Sequence, residues 1–295
     1  MKEKLQRVID SFMPGAELLK YEPLMGGVSS EVFLLEIKKD AQLKKIVLKE
    51  ESGPPAKNTS RSEFELLQAL QRTNIPCAEP LFLDTTRAIL DKPFVLLSFI
   101  EGSIDIAKMG NDTFILKMVN QLKAIHEVDI EILPNLSLRL DPLEGLIEYL
   151  AGDSQWKELQ EYLSSLHDTA YTKKHVFLHG DYWSGNIILE NEKIKGVIDW
   201  EYAAIGDPLC DVAASCLEVR YEFGKELMTT FKDTYSNFLP IDNFRYSLWL
   251  IYIAASTLYH IHQWNISKEK EALIKKETVN VINEEFESLL HQSKE

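Results

Sequence analysis

Residues 179–186 of this chain read His-Gly-Asp-Tyr-Trp-Ser-Gly-Asn, and residues 198–201 read Ile-Asp-Trp-Glu. Within these stretches Asn186 follows Asp181 by five positions, and Asp199 follows Asn186 by thirteen. The apolar runs around them predict a loop followed by a strand, a turn and a second strand. Such a hairpin would bring Asn186 and Asp199 together at one of its ends.

These three residues have the chemistry that phosphoryl transfer to a hydroxyl group requires. One group must accept or orient the hydroxyl proton, and hard oxygen ligands must hold magnesium on the nucleotide phosphates. Asp181 is the candidate base, while the amide oxygen of Asn186 and the carboxylate of Asp199 are the candidate magnesium ligands. Turn caps and loop hydrogen bonds are the ordinary roles of such residues, but they do not explain the spacing. For Glu201 two roles stay open: binding of a second metal ion, or a salt bridge to a loop.

The composition is that of a globular protein with a sizeable core: 295 residues, 45% hydrophobic and 26% charged. Three cysteines without a CxxC spacing argue against a disulfide scaffold and favour a reducing cytoplasm. Residues 1–12 carry charges of both signs and do not resemble a signal peptide. The apolar run at 246–259 is too short to span a bilayer, so we expect a buried helix and no membrane partner.

The net charge of −14 is unevenly distributed along the chain. Residues 1–100 hold 14 basic and 14 acidic side chains, whereas residues 101–295 hold 18 and 32. A field of this sign repels nucleic acid and attracts cations. We therefore expect no nucleic-acid partner.

Apolar patterning divides the chain into two parts. The first part contains a short amphipathic helix over residues 1–12, four strands and a second helix that begins at Ser60, with Glu63 at the spacing of a capping box. The predicted strands cover 18–21, 32–37, 45–49 and 94–99. Beyond Gly102 we predict helices over 112–126, 142–150, 155–167, 219–238, 244–261 and 268–291. This pattern predicts an α+β protein with a small N-terminal lobe at 1–100 and a larger, mainly helical lobe at 101–295.

The motif resembles that of the aminoglycoside phosphotransferase and choline kinase family, small-molecule kinases distantly related to protein kinases. Protein kinases carry His-Arg-Asp and Asp-Phe-Gly, where this chain has His-Gly-Asp and Asp-Trp-Glu. The resemblance continues through Gly206-Asp207-Pro208 and Asp211 and covers about residues 20–215. It implies a two-lobed, protein-kinase-like fold with a small antiparallel sheet in the first lobe. In such a fold residues 1–100 would form the nucleotide-binding lobe and residues 101–295 the catalytic and acceptor-binding lobe. It also implies that His179, Asp207 and Asp211 brace the catalytic loop.

Lys49 and Glu63 are the candidate phosphate clamp of the first lobe. Lys49 ends a predicted strand, and Glu63 shares a helix face with Leu67 and Leu70. An inward-facing glutamate needs a cationic partner, because an unpaired buried carboxylate is costly. We therefore predict a Lys49–Glu63 ion pair like that of kinase folds.

The resemblance places the remaining nucleotide contacts at two further positions. The turn over 25–30, with Gly26, Gly27, Ser29 and Ser30, would cover the phosphates, although a Gly-Gly pair is also common in plain hairpins. Main-chain groups of Ser98 and Ile100 would pair with the adenine edge.

Together these features predict a cytoplasmic phosphotransferase that uses magnesium and ATP or GTP. Its acceptor would be the hydroxyl of a small cationic molecule, such as an aminoglycoside or an amino alcohol. The alternatives are a neutral sugar, homoserine-like or macrolide acceptor, or an inactive nucleotide-binding regulator; a metal-dependent hydrolase would need histidine-rich ligand clusters that the chain lacks. The oligomeric state stays open. Acidic and aromatic residues of the last part could line the acceptor cleft: Glu218, Tyr221, Glu222, Asp233, Trp249, Tyr252, Tyr259 and Trp264.

Overall fold

Five antiparallel strands form the largest sheet of this computed structural model, which describes residues 1–24, 31–51, 59–103, 109–264 and 266–292. Their spatial order is β1-β2-β3-β5-β4. The strands are β1 Glu17–Pro23, β2 Val32–Lys39, β3 Gln42–Glu50, β4 Pro80–Asp84 and β5 Phe94–Ser98. Helix α1, Lys2–Phe12, packs its apolar side chains into the same buried cluster as the inner faces of β1, β2, β3 and β5. Helix α2 covers Ser60–Leu70.

The rest of the chain is mainly helical, with two short antiparallel pairs of strands. The helices are α3 Asn111–His126, α4 Pro142–Leu150, α5 Lys157–Ser164, α6 Leu209–Phe223, α7 Lys225–Ser236, α8 Asn243–His260 and α9 Lys268–Gln292. Strand β6, Val176–Leu178, pairs with β9, Ala204–Gly206, and β7, Ile187–Glu190, pairs with β8, Lys193–Val197. Short 3₁₀ turns cover Ile130–Ile132, Ser154–Trp156, Ser184–Asn186 and Ile261–Gln263.

The described residues form two compact units. The first comprises the described residues of Met1–Asp105, Glu131–Leu136 and Asn186–Ala203, and the second those of Ile106–Ile130, Ser137–Gly185 and Ala204–Glu295. The first unit therefore holds the five-stranded sheet together with the β7–β8 hairpin. The second unit holds helices α3 to α9 and the β6–β9 pair.

The predicted membrane-like run at 246–259 lies within α8. Its residues Leu248, Trp249, Leu250 and Ile251 are all buried, as expected for a core helix. Across the described ranges, no helix combines the length and the apolar character needed to cross a bilayer.

Three local predictions were wrong. The single helix predicted over 219–238 is two helices, because Gly224 adopts a left-handed φ of 91° between α6 and α7. Strands β4 and β9 were not predicted. Helix α2 begins at Ser60 as predicted, but the capping box is absent because Thr59, not Ser60, is the N-cap: its hydroxyl accepts from the Ser62 amide at 3.2 Å, and Glu63 lies four residues after the cap instead of three.

Candidate active site

Four charged side chains meet in the first unit, and we call them the Lys49 cluster. Lys49 lies near the end of β3, the central strand of the sheet, and its Nζ is 3.0 Å from Glu63 Oε1 of α2. The same Nζ lies 3.0 Å from Asp199 Oδ1 and 3.9 Å from Glu201 Oε2, both just beyond β8. Lys49 is 8% exposed, Glu63 6% and Glu201 4%. The predicted Lys49–Glu63 pair is therefore present, with two further carboxylates beside it.

The Lys49 cluster carries more negative than positive charge. Burial alone would lower the pKa of Lys49, but the attraction of Glu63 and then of Asp199 raises it above its ordinary value. Burial also raises the pKa of Glu63; Lys49 opposes this effect, while Asp199 and Glu201 reinforce it. Attraction to the carboxylates therefore raises the pKa of Lys49 against the effect of burial, whereas for Glu63 the two other carboxylates add to the effect of burial. A single cation does not neutralise the group. Such a site favours additional positive charge.

The β7–β8 hairpin holds the two candidate magnesium ligands. Ile187 at the start of β7 pairs with Val197 at the end of β8, and the Ile198 amide donates to the Asn186 carbonyl at 3.0 Å. Asn186 and Asp199 thus flank the same end of the hairpin, as the sequence predicts. Asp199 has a left-handed φ of 64°, which typically costs a non-glycine residue about 1–3 kcal/mol unless its surroundings fix it. Its bond to Lys49 is one such constraint.

The described residues contain no cluster of three or more His, Cys, Asp or Glu arranged to hold a metal ion. This donor set fits magnesium nevertheless. Magnesium typically binds one or two protein oxygens and completes its shell with water and substrate phosphates. Asn186 and Asp199 supply that number of hard oxygen ligands.

Asp181 belongs to the second unit, in a segment that we call the Asp181 loop (residues 179–185). The Asp181 amide donates to His179 Nδ1 at 3.2 Å. The buried carboxylate of Asp211, on α6, accepts from the His179 amide at 2.8 Å and the Gly180 amide at 2.9 Å. His179 and Asp211 therefore brace this loop, as the family resemblance implies.

A buried hydrogen-bond chain extends from Asp211 to α7. His126 Nε2 lies 3.2 Å from Asp211 Oδ2, and His126 Nδ1 lies 2.6 Å from the Tyr235 hydroxyl. The arrangement is satisfied when Nε2–H donates to Asp211 and Nδ1 accepts from Tyr235. Burial opposes ionisation of Asp211, but the hydrogen bond with His126 holds its pKa below the ordinary value. His126 is thus a packed structural residue.

Asp207 has a different role from the one that the resemblance implies. Its Oδ2 accepts from Arg245 Nε and Trp249 Nε1 of α8, both at 2.8 Å, and its Oδ1 accepts from the Leu209 amide at 3.0 Å. It therefore anchors α8 and the start of α6, and none of these three contacts is with the Asp181 loop. Trp249, a candidate for the acceptor cleft, is consequently a core residue.

Only part of the predicted nucleotide contacts lies in the described chain. The positions Gly26, Gly27, Ser29 and Ser30 lie outside it. The Ser98 amide donates to the Glu79 carbonyl at 2.9 Å, and the Ser98 hydroxyl accepts from the Glu79 amide at 2.8 Å. The Ser98 amide is thus occupied, and an adenine contact through the main chain of Ile100 stays a prediction.

Two of the three acidic residues predicted for the acceptor cleft lie beside the Asp181 loop. Burial, followed by the charges of Asp181 and Glu222, raises the pKa of Glu218 to about 8, so its carboxyl group is mostly protonated at neutral pH. The Ser184 hydroxyl donates to the carboxylate of Glu222. Tyr221 lies one residue earlier, and its hydroxyl hydrogen-bonds to Thr278 of α9 at 2.6 Å. The Asp181 loop therefore has the carboxyl groups of Glu218 and Glu222 beside it.

Sequence reasoning missed two contacts of this site. Ser215 on α6 donates to the Tyr182 carbonyl at 2.8 Å, and Tyr235 on α7 reaches His126. Ser215 follows Asp211 by one helical turn, a spacing that places both residues on the same face of a helix. This relation was missed because the predicted helix started ten residues after the true start of α6.

A sequence model described as the phosphotransferase enzyme family matches residues 20–248. The chain belongs to this family. The match covers the sheet strands from β2 onward, the Lys49 cluster, the Asp181 loop and α6.

Two curated relatives and one solved structure illustrate the similarity. Acyl-CoA dehydrogenase family member 10 of Mus musculus is 26% identical over 238 residues, which cover 74% of this chain and 22% of that protein. An aminoglycoside 3′-phosphotransferase of Niallia circulans is 26% identical over 136 residues, covering 43% of this chain and 52% of that protein. The chain thus spans about half or less of the relatives' lengths.

The structure of the GDP and kanamycin complex of APH(2″)-IIIa superimposes with a TM-score of 0.67 at 15% identity, covering 96% of this chain and 98% of that one. At that identity the similarity concerns the fold. It confirms the predicted kinase-like α+β fold.

Proposed function

We propose that this protein transfers the γ-phosphate of ATP or GTP to a hydroxyl group of a small cationic molecule. The observation that carries the proposal is the Lys49 cluster, in which a buried lysine bonds both Glu63 and Asp199. The lysine–glutamate pair is the phosphate-positioning element of kinase folds, and Asp199 occupies the magnesium-binding position of the motif. A degenerate, regulatory member would be expected to lose one of these groups, and here none is lost.

Each residue has a defined role in the proposed reaction. Lys49 binds the α- and β-phosphates, and Glu63 keeps its ammonium in place. Magnesium, held by Asn186 and Asp199, would neutralise charge on the phosphates. Asp181 accepts or orients the proton of the attacking hydroxyl. Because the transition state is loose, the rate depends more on the correct position of this carboxylate than on strong basicity.

A cationic acceptor is supported by the carboxylate of Glu222, which lies beside the Asp181 loop, and by the candidate base Asp181 itself. Glu218 and Glu222 lie on consecutive turns of α6, next to the Asp181 loop. The names of the relatives extend the set of acceptors to be tested, since one is an aminoglycoside phosphotransferase and another is named an acyl-CoA dehydrogenase. Sugars, homoserine, macrolides and hydroxyacyl thioesters are therefore the alternatives to aminoglycosides and amino alcohols.

We place the protein in the cytoplasm as part of this proposal. The three cysteines Cys77, Cys210 and Cys216 are all free thiols, as expected in a reducing compartment.

A coupled assay with magnesium and ATP or GTP against this acceptor panel tests the function. Asp181→Ala should lower transfer by about 10²–10⁴-fold, the usual contribution of a positioned base, while nucleotide affinity stays within about twofold. Asp112→Ala, at an exposed aspartate in the first turn of α3, is the matched control and should retain activity. Full transfer by Asp181→Ala would refute the assigned base. Nucleotide binding without transfer to any acceptor would instead favour the regulatory alternative.

A further inference from the structure

One face of α6 contacts the Asp181 loop at successive points. Asp211 accepts from the His179 and Gly180 amides, Ser215 donates to the Tyr182 carbonyl, and Glu222 accepts from the Ser184 hydroxyl. The intervals of four and seven residues place Asp211, Ser215 and Glu222 on the same side of a helix. The order of contacts along the helix follows the order along the loop.

The lengths of the two segments explain how these contacts form together. Eleven helical residues from Asp211 to Glu222 rise about 16 Å. Five loop residues from His179 to Ser184 span at most about 17 Å when extended. Because the two lengths are comparable, the helix can hold the loop on both sides of Asp181.

The contact of Glu222 differs from the other two. Asp211 and Ser215 are fully buried, and they hold the loop up to Tyr182. Glu222 is exposed near the C-terminal end of α6 and holds the loop further along, at Ser184. The next residue, Gly185, has no room for a side chain, since a Cβ atom there would lie 2.3 Å from the Trp183 ring.

The Ser184–Glu222 hydrogen bond lies beside further acidic side chains. Asp181 and Glu222 both raise the pKa of Glu218, so each of them lies near Glu218, and Lys270 of α9 is the cation that opposes them. The hydrogen bond from Ser184 gives the carboxylate of Glu222 a donor on the loop and so ties this part of the loop to α6.

We propose that Glu222 is a positioning residue for Asp181, acting through its hydrogen bond with Ser184. Without this bond, the contacts described between α6 and the Asp181 loop are those at residues 179, 180 and 182, and Ser184 loses its hydrogen bond to the helix. The catalytic carboxylate then samples orientations in which it does not meet the acceptor hydroxyl. The inference rests on the proposed role of Asp181 as base.

Four variants test the inference: Glu222→Ala, Ser184→Ala, Glu222→Gln and the double variant with both alanines. Glu226→Ala is the matched control, since Glu226 is an exposed glutamate in the first turn of α7. The first readout is amide hydrogen exchange in the peptide that covers residues 179–185. The second is the kcat and the nucleotide KM for hydrolysis of magnesium-ATP or magnesium-GTP, with water as the acceptor.

Each alanine variant should speed exchange in this peptide and lower kcat by about tenfold, with the nucleotide KM within about twofold of wild type, because a small misplacement of a catalytic group is costly. The double variant should be no worse than either single variant, since both remove the same contact. Glu222→Gln should keep most of the activity, because its amide oxygen still accepts from Ser184.

Unchanged exchange and kcat in Glu222→Ala, or independent effects that multiply in the double variant, would overturn the inference. A wild-type protein that does not hydrolyse either nucleotide would count against the proposed function instead. In that case the exchange experiment still decides whether Glu222 holds the loop.

Discussion

Removing the ammonium of Lys49 should destabilise the protein far more than removing an exposed lysine of the same strand. In Lys49→Met, the carboxylates of Glu63, Asp199 and Glu201 lose the cation that lies 3.0, 3.0 and 3.9 Å from them. Breaking a buried ion pair by deleting one partner typically costs about 3–5 kcal/mol. Asp199 is 30% exposed and contributes less, so we expect about 3 kcal/mol.

The matched control is Lys45→Met. Lys45 also lies on β3 and pairs with Glu101 at 3.1 Å, but its side chain is 43% exposed and that of Glu101 is 64% exposed. Surface pairs of this kind are usually worth about 0–1 kcal/mol. With about 2–4 °C per kcal/mol for a chain of this size, we expect a loss of roughly 6–12 °C for Lys49→Met and at most about 4 °C for Lys45→Met.

The loss should also depend on pH in a definite direction. The pKa of Glu63 is already raised, and deletion of Lys49 raises it further, so the folded variant binds protons more tightly than the unfolded chain. Stability of the variant relative to wild type should therefore recover as the pH falls and the carboxylates are protonated. Thermal unfolding followed by circular dichroism at about pH 5.5 and pH 8 measures both quantities. Equal losses for the two lysine variants at pH 8, or a gap that does not narrow at low pH, would refute the assigned charge balance.

Two further changes probe other parts of the molecule. Glu218→Gln should stabilise the protein at pH 8 by about 1–3 kcal/mol. The pKa of Glu218 in the folded protein is about 8, so between pH 4.5 and 8 the unfolded chain releases a proton that the folded chain keeps. Wild-type stability should fall with rising pH across that window while the variant changes less; parallel urea-denaturation curves would contradict this. Gly102→Ala should cost at least about 2 kcal/mol, since Gly102 has a φ of 148° and a Cβ there would lie 2.5 Å from the Leu189 carbonyl oxygen. Gly110→Ala, where a Cβ meets nothing within 4 Å, should cost no more than about 1 kcal/mol, and equal melting temperatures for the two variants would reject the steric argument.

Several long-range features were predictable because the relevant signal is local. Glu63 shares a helical face with Leu67 and Leu70, all three of which are buried, and an inward-facing glutamate requires a cation. That requirement pointed to Lys49 fourteen residues away, with which Glu63 forms its ion pair. The hairpin of β7 and β8 was predictable for the same reason, since its two apolar runs are separated by a short polar turn.

Helix α6 shows where local patterns fail. Asp211 and Ser215 are fully buried and polar, so they interrupt the apolar periodicity by which a buried helix is recognised. Their polarity is tolerated because the Asp181 loop supplies their hydrogen-bond partners. The start of the helix therefore depends on a segment about thirty residues earlier in the chain, which periodicity cannot detect.

The sequence by itself determined the chemistry of the motif, because the types and spacing of Asp181, Asn186 and Asp199 are local properties. Tertiary structure alone decided which groups surround them. Asp199 reaches Lys49 across 150 positions, Glu201 joins the same cluster, and α6 lies along the Asp181 loop. The physical reason is that ion pairs and hydrogen bonds act over about 3–4 Å in space, whereas sequence patterns report only on neighbours within a few turns or strands.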